Sequence, residues 1–195
     1  FLTSPNNPTG TALSETELAT VLAVSPGVVV VDEAYAEFRR ADTATALELL
    51  ADNPKLIVTR TMSKAFALAG GRLGYLAAHP AIVDALRIVR LPYHLSTVTQ
   101  ATAIAALRHT EELLARVDEL RTRRDEIASW LRAHNYTVAD SDANFILFGH
   151  FPDRHAVWEG LVDRGVLIRE VGPDGWLRVS IGTTAEMQAF CTALL

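Results

Sequence analysis

Lys64 is one of two lysines among the eighteen basic residues of this chain, and it sits in "TRTMSKAFALAGGRLG" among small hydroxyls, with glycines and Arg72 close behind. A lysine amine can be made nucleophilic, whereas a guanidinium keeps its proton at any ordinary pH, so a lysine retained in an arginine-rich chain points to amine chemistry. Asp32 follows the run "VVVV" directly, and Lys64 follows "LIVTR" by a few residues. In an open α/β sheet, ligands sit beyond the carboxyl ends of the parallel strands. Asp32 and Lys64 are therefore expected on one rim, and Arg72 joins them if the strand after it runs back antiparallel. A carboxylate, an amine, a guanidinium and the hydroxyls of Thr61 and Ser63 around one opening suit an anionic ligand with a basic ring nitrogen and a carbonyl.

The elements that must position these groups can be read from patterning. "LSETELATVLAV" has Ser14 and Glu17 at capping-box spacing, which predicts a helix from about Glu15 to Val24. "PGVVVVDEAY" and "PKLIVTR" are unalternated β-branched runs of the kind found in buried parallel strands, with "TATALELLA" a short helix between them. "RLGYLAAH" reads as a third strand whose connection is too short for a crossover, so it is expected antiparallel. "PAIVDALRIVR" is helical with Pro80 in its first turn, Ser96 caps a second helix, and a long helix follows from about Glu111 to Ala133. The arginines of "LLARVDELRTRRDEIASWLRAH" read as a solvated helix face. "YTVADSDANFILFGH", "VLIREVG" and "WLRVSIGT" look like strands, and "TTAEMQAFCTALL" like a closing helix. The expected organisation is an α/β cofactor-binding part with a mainly parallel sheet over 1–95, connecting helices over 96–134, and a smaller α+β part over 135–195.

Composition excludes several classes. A net charge of -5 and scattered arginines leave no basic patch for nucleic acid. One cysteine, Cys191, rules out an intramolecular disulfide and fits a reducing compartment, and it falls on the apolar face of the closing helix. No apolar run approaches the roughly 18 residues of a membrane span, and no leader pattern opens the chain, so a cytoplasmic location is expected. The histidines form no metal set; His150 and His155 flank "FPDR" as a surface turn. "AGGRLG" lacks the glycine spacing of a dinucleotide site. The opening "FLTSPNNPTG" resembles the tail of a strand, which gives the expectation that this is the C-terminal portion of a longer chain.

Together, "SPNNPTG", "DEAY", "TMSKAFALAGGR" and "LRVSIGT" resemble the fold-type I aminotransferases that use pyridoxal 5'-phosphate, over nearly the whole chain, and most closely the histidinol-phosphate members. The resemblance implies that Lys64 holds the cofactor as a Schiff base and then moves a proton, and that Asp32 pairs with the pyridinium nitrogen. It implies that Asn7 and Tyr35 bond the phenolic oxygen, and that Thr61, Ser63 and Arg72 hold the phosphate. Arg178 matches the arginine that receives the substrate's anionic end, Arg169 the extra arginine of the histidinol-phosphate members, and Asn144 a residue near them. Two arginines suit a phosphate better than one, since it carries nearly two charges and three acceptor oxygens.

Each residue alone has a plainer account: Lys64 a solvated loop lysine, Asp32 the cap of a helix from Glu33, Asn7 a turn residue, Tyr35 packing, Thr61 and Ser63 caps, Asn144 a turn at a strand start, Arg169 and Arg178 surface strand residues. The reading that joins them is transamination between histidinol phosphate and 2-oxoglutarate or glutamate by a homodimer. An aromatic amino acid aminotransferase of the same fold and a non-catalytic folding or dimerisation unit are the alternatives. The glycine-rich phosphate loop, the ring-stacking aromatic and a tyrosine lent by a partner have no counterpart in these residues, so weak cofactor retention by the 195-residue chain is expected.

Overall fold

The structure, a computed structural model, describes residues 1–195. β1 (Leu2–Thr3), β2 (Val29–Asp32), β3 (Leu56–Thr61) and β4 (Gly74–Ala78) form one sheet in that order. The first three run parallel, and β4 returns antiparallel to β3 as its short connection requires. The crossover from β1 to β2 is α1 (Glu15–Val24), started by the capping box between Ser14 and Glu17. Val29 and Val31 of β2 and Leu56 and Val58 of β3 turn to one face and pack with Leu18 of α1 and Ala46. The period of two then sends Asp32, Thr59 and Thr61 to the other face.

"TATALELLA" forms a 3-10 turn over Ala46–Leu49 instead of an α-helix. The Ala46 N–H at its start donates to the buried carboxylate of Glu33 at 2.6 Å, which anchors the segment to the sheet before a full helical turn can form.

α2 (Pro80–Val89), α3 (Thr97–Arg108) and α4 (Thr110–Ala133) lead to a second, antiparallel sheet of β5 (Thr137–Val138), β6 (Phe145–Gly149) and β7 (Trp176–Ser180). Pro80 opens α2, and Ser96 caps α3 through the Thr99 N–H. α5 (Arg154–Asp163) and α6 (Thr184–Leu194) pack on this sheet, and their apolar sides with that of α4 enclose a core around Leu131, Phe148, Leu177 and Phe190. The Phe148 ring meets those of Tyr136, Phe151 and Phe190 edge-on. Cys191 packs against the edge of this core.

Three expectations need correction here. "VLIREVG" is not a strand: it touches β7 at a single bridge, Arg169 with Arg178, because no second neighbour extends the ladder. The surface turn at "FPDR" holds for Pro152 and Asp153 but does not include His155, since Asp153 caps α5 and carries His155 onto that helix. The α4 arginines are not all solvated. Arg124 is 1 % exposed and donates to the Phe38 carbonyl at 2.7 Å and the Ala143 carbonyl at 3.3 Å.

Arg124 is part of a seam between the two sheets. Asp142 accepts from the Arg40 N–H at 2.6 Å and the Thr43 hydroxyl at 3.1 Å, and its own N–H donates to the Gly10 carbonyl at 2.8 Å. Gly10 sits at φ +81°, where a side chain would be strained and would also collide with Ser141. These contacts fix the loop after β1 against the loop before β6. They bring Asn7 next to β7.

Candidate active site

The strand register sets the rim. Asp32 ends β2 opposite Thr59, Thr61 ends β3, and Thr61 faces Gly74 at the start of β4. Between Thr61 and Gly74 the chain folds back on itself: the Met62 N–H reaches the Leu73 carbonyl at 3.0 Å, and the Leu68 N–H reaches the Met62 carbonyl at 3.0 Å. Met62 and Ala65 are buried and anchor this loop, leaving Lys64 exposed between them. Asp32, Thr61, Ser63, Lys64 and Arg72 thus meet at the same end of the first sheet. The Thr61 hydroxyl also holds the loop itself, donating to the Leu73 carbonyl at 3.3 Å and accepting the Ser63 N–H at 3.1 Å. One Asp32 oxygen accepts the Ala34 N–H at 3.1 Å in a local turn, but no helix starts at Glu33 and the 3-10 turn over Ala36–Phe38 has no side-chain cap, so the capping account of Asp32 does not hold.

Two residues of the loop take the left-handed conformation without being glycine, Ala67 at φ 53° and Arg72 at φ 47°. Each costs about 1 kcal/mol or more, and such strain clusters where a segment is held for function. Arg72 makes one intramolecular hydrogen bond, from Nη1 to the Ala69 carbonyl at 3.1 Å.

A second line of contacts runs from the rim to the other sheet. Lys64 Nζ lies 5.6 Å from the centre of the Tyr35 ring. The Tyr35 hydroxyl accepts from Asn7 Nδ2 at 3.2 Å, and Asn7 Oδ1 accepts from Arg178 Nη1. The Arg178 guanidinium lies 4.7 Å from the centre of the Phe145 ring, which meets Tyr35 edge-on at 5.2 Å. Arg178 Nε is buried without a hydrogen-bond partner. Burial lowers the pKa of Arg178; Tyr35 opposes that shift and the charge of Arg169 adds to it. A guanidinium stays protonated even so. A half-exposed cation with one buried, free donor and a second cation beside it favours a bound anion.

Arg169 is brought to Arg178 by the bridge between their backbones, with N–H to carbonyl distances of 3.0 and 2.8 Å, and its side chain is exposed. Asn144 stands at the head of β6, with its carbonyl accepting the Ile181 N–H at 2.9 Å, and is next to Phe145 rather than at the rim. Lys64, Arg72, Arg169 and Arg178 form no ion pair with any carboxylate of the chain.

Sequence reasoning missed Phe145, which packs against both Tyr35 and Arg178. It lay at the start of "FILF", where every position is apolar and no alternation marks the site face. It also missed the side chains of Glu33 and Arg60, although both lay inside quoted motifs.

Residues 1–194 match the family model of the class I and II aminotransferases. A histidinol-phosphate aminotransferase of Thermobifida fusca is 67 % identical over 195 residues, covering 100 % of this chain and 53 % of that protein. Another, of Streptomyces avermitilis, is 58 % identical over 198 aligned residues, again covering 100 % of this chain and 53 % of the relative. The chain thus spans about half the length of the curated relatives it matches. Among solved structures, the histidinol-phosphate aminotransferase of Sinorhizobium meliloti in complex with pyridoxal-5'-phosphate superposes with a TM-score of 0.84 at 29 % identity, covering 99 % of this chain and 55 % of that one.

Proposed function

The chain belongs to the class I and II aminotransferases, and from that premise we propose that it carries the centre for amino transfer between histidinol phosphate and 2-oxoglutarate, with pyridoxal 5'-phosphate as cofactor. The observation that carries this reading is the run of contacts Lys64, Tyr35, Asn7, Arg178, which joins an exposed amine to a partly buried guanidinium whose Nε has no partner. Curated relatives named histidinol-phosphate aminotransferase, at 67 % and 58 % identity, support the substrate.

The donor set fits the cofactor. Arg72 and Ser63 supply charge and a hydroxyl for a phosphate, with Thr61 shaping the loop that presents them. Asp32 is the carboxylate for a heterocyclic nitrogen, and Asn7 with the Tyr35 hydroxyl suits a phenolic oxygen. Opposite unit charges about 4 Å apart at an effective dielectric near 20 attract by about 4 kcal/mol, enough to keep that nitrogen protonated. When bound, the cofactor supplies an aldehyde and an electron sink for a developing carbanion. Lys64 anchors it through Nζ and, once displaced, takes the proton from the substrate's Cα. Arg178, oriented by Asn7 and Phe145, receives the substrate's anionic end, and Arg169 adds a second cation for a phosphate. Asn144, at the head of β6, is taken with them on the substrate side.

The same reading takes 1–95 as the cofactor-binding part, 96–134 as connecting helices and 135–195 as the smaller part, in a cytoplasmic homodimer. No helix is long and apolar enough to cross a membrane. Ile88, Val89, Leu91, Tyr93 and Val98 leave an exposed apolar surface available for a partner. Turnover of histidinol phosphate and of phenylalanine by the full-length protein tests the substrate. The reading expects the phosphate ester to win by at least about tenfold in kcat/KM, the worth of one charge-assisted hydrogen bond. Faster turnover of phenylalanine would make the chain an aromatic amino acid aminotransferase.

A further inference from the structure

The face of the first sheet opposite Asp32 holds a buried polar cluster that the reaction does not use. Glu33 is 3 % exposed, yet its carboxylate accepts from the Thr45 hydroxyl at 2.9 and 2.8 Å, the Ala46 N–H at 2.6 Å, and Arg60 Nε and Nη2 at 3.0 and 2.7 Å. Arg60 Nη2 also donates to the Thr45 hydroxyl at 3.0 Å. Glu37 lies at the edge of the cluster, with one oxygen 3.9 Å from Arg60 Nη1 and the other buried without a partner.

A pair of this kind is poor evidence of stability. Removing two charges from water costs about as much as their attraction returns, and apolar residues of similar volume often serve as well. Its position is what distinguishes it. β2 and β3 are parallel, so no hairpin joins their carboxyl ends, and their last ladder bond is the Glu33 N–H to the Thr59 carbonyl at 2.8 Å. The cluster begins at that point. Side chains alternate across the sheet, so Glu33 follows Asp32 on β2 and points the other way, while Arg60 precedes Thr61 on β3 and does likewise. Glu33 and Arg60 are each the backbone neighbour of a rim residue. An ion pair between them fixes the separation of Asp32 from the loop that carries Lys64.

Resting on the cofactor reading above, we propose that Glu33, through Arg60 and Thr45, is a positioning residue: it holds Asp32 in register with the Lys64 loop so that the ring-nitrogen and aldehyde ends of the cofactor are met together. Glu33 touches neither cofactor nor substrate. Its loss should loosen the geometry of the rim while leaving Arg178, on the other sheet, in place.

The test compares the full-length wild-type holoenzyme with Glu33→Gln, Thr45→Val and the paired Glu33→Gln/Arg60→Met variant. The readouts are pyridoxal 5'-phosphate affinity, the pH midpoint of the cofactor's visible absorption band, and kcat and KM separately. Losing a charge-assisted bond in the cluster should weaken cofactor affinity by about tenfold in Glu33→Gln. The band midpoint should move, and kcat should fall with KM for histidinol phosphate within about twofold. The paired variant removes both charges of the Glu33–Arg60 pair but takes from Glu37 its Arg60 neighbour, so it should recover part of the folding stability and not the band midpoint.

Thr45→Val keeps the ion pair and should show the same changes at about threefold, which keeps the test decisive if Glu33→Gln does not fold. Cofactor affinity and band midpoint equal to wild type in the folded variants, with only a lower melting temperature, would make the cluster purely structural and overturn the proposal. A wild-type protein without a Lys64-dependent band would instead sink the cofactor reading on which it rests.

Discussion

β6 is buried at all five of its positions, whereas β4, of equal length, is exposed from Gly74 to Leu76. β6 lies between β5 and β7 under α4, α5 and α6, and its side chains close an aromatic core. β4 is an edge strand with Tyr75 and Leu76 open, and the apolar residues at the end of α2 are open too. The second sheet is complete in its packing and, with the segment bridged to β7, offers the proposed site the guanidinium groups of Arg178 and Arg169 and the ring of Phe145. The first sheet is less covered and carries most of the residues of the proposed site. Rigid packing and reactive side chains are thus divided between the two sheets, and the Arg124 and Asp142 seam keeps them in register.

The largest effect should come from breaking the closed sheet. Phe148→Ala removes a ring held by three others and should cost about 4 kcal/mol, while Leu76→Ala, at a position 39 % exposed, should cost about 0.5 kcal/mol. Urea unfolding of the chain measures both, and equal costs would erase the contrast. Next is the seam: Arg124→Ala leaves two buried carbonyls without their charged donor and should cost about 3 kcal/mol. Hydrogen exchange should then rise in 36–43 and 139–144, and a change confined to α4 would deny the seam its role.

Helix caps provide a control, because they act locally. Thr183→Ala on α6 and Ser14→Ala on α1 remove equivalent capping boxes and should each cost about 1 kcal/mol, whichever sheet the helix serves. Costs that differ by more than twofold in unfolding experiments would show that coverage reaches even the helix ends.

The smallest effect is a pH dependence near Arg169. His155 on α5 contacts Glu170 at 3.0 Å, and that hydrogen bond raises the His155 pKa above 6.5. The pKa is raised in the folded state, so the contribution to stability is full below 6.5 and fades as pH rises through the raised value. Glu159 on the same helix, Arg154, and Asp153 at the cap also face the ring or its partner, and Trp158 stacks on it. His155→Gln should flatten the wild-type slope of stability between about pH 6 and 8. An unchanged slope would place the titration elsewhere.

What was legible in the sequence was local. The capping box of α1, Pro80 at the head of α2, Ser96 before α3 and the β-branched runs of β2 and β3 depend on neighbours a few residues away. The antiparallel course of β4 followed from the shortness of its connection. The rim itself was legible because it needs only the strand ends. What escaped depends on distant partners: Arg124 is buried by a carbonyl 86 residues away, and Glu33 finds Arg60 27 residues on. "VLIREVG" has the composition of a strand, but composition cannot show that only Arg169 finds a partner across from it.

The central claim is that Lys64, with Asp32 and Arg72 beside it on one rim, is the amine that holds pyridoxal 5'-phosphate. Borohydride reduction of the cofactor-loaded full-length protein, followed by peptide mass spectrometry, reads this directly. The account predicts a single pyridoxyl label on Lys64 that is lost in Asp32→Ala through weakened binding. A label on Lys55 or on any lysine away from the rim, with Lys64 unmodified, would contradict it.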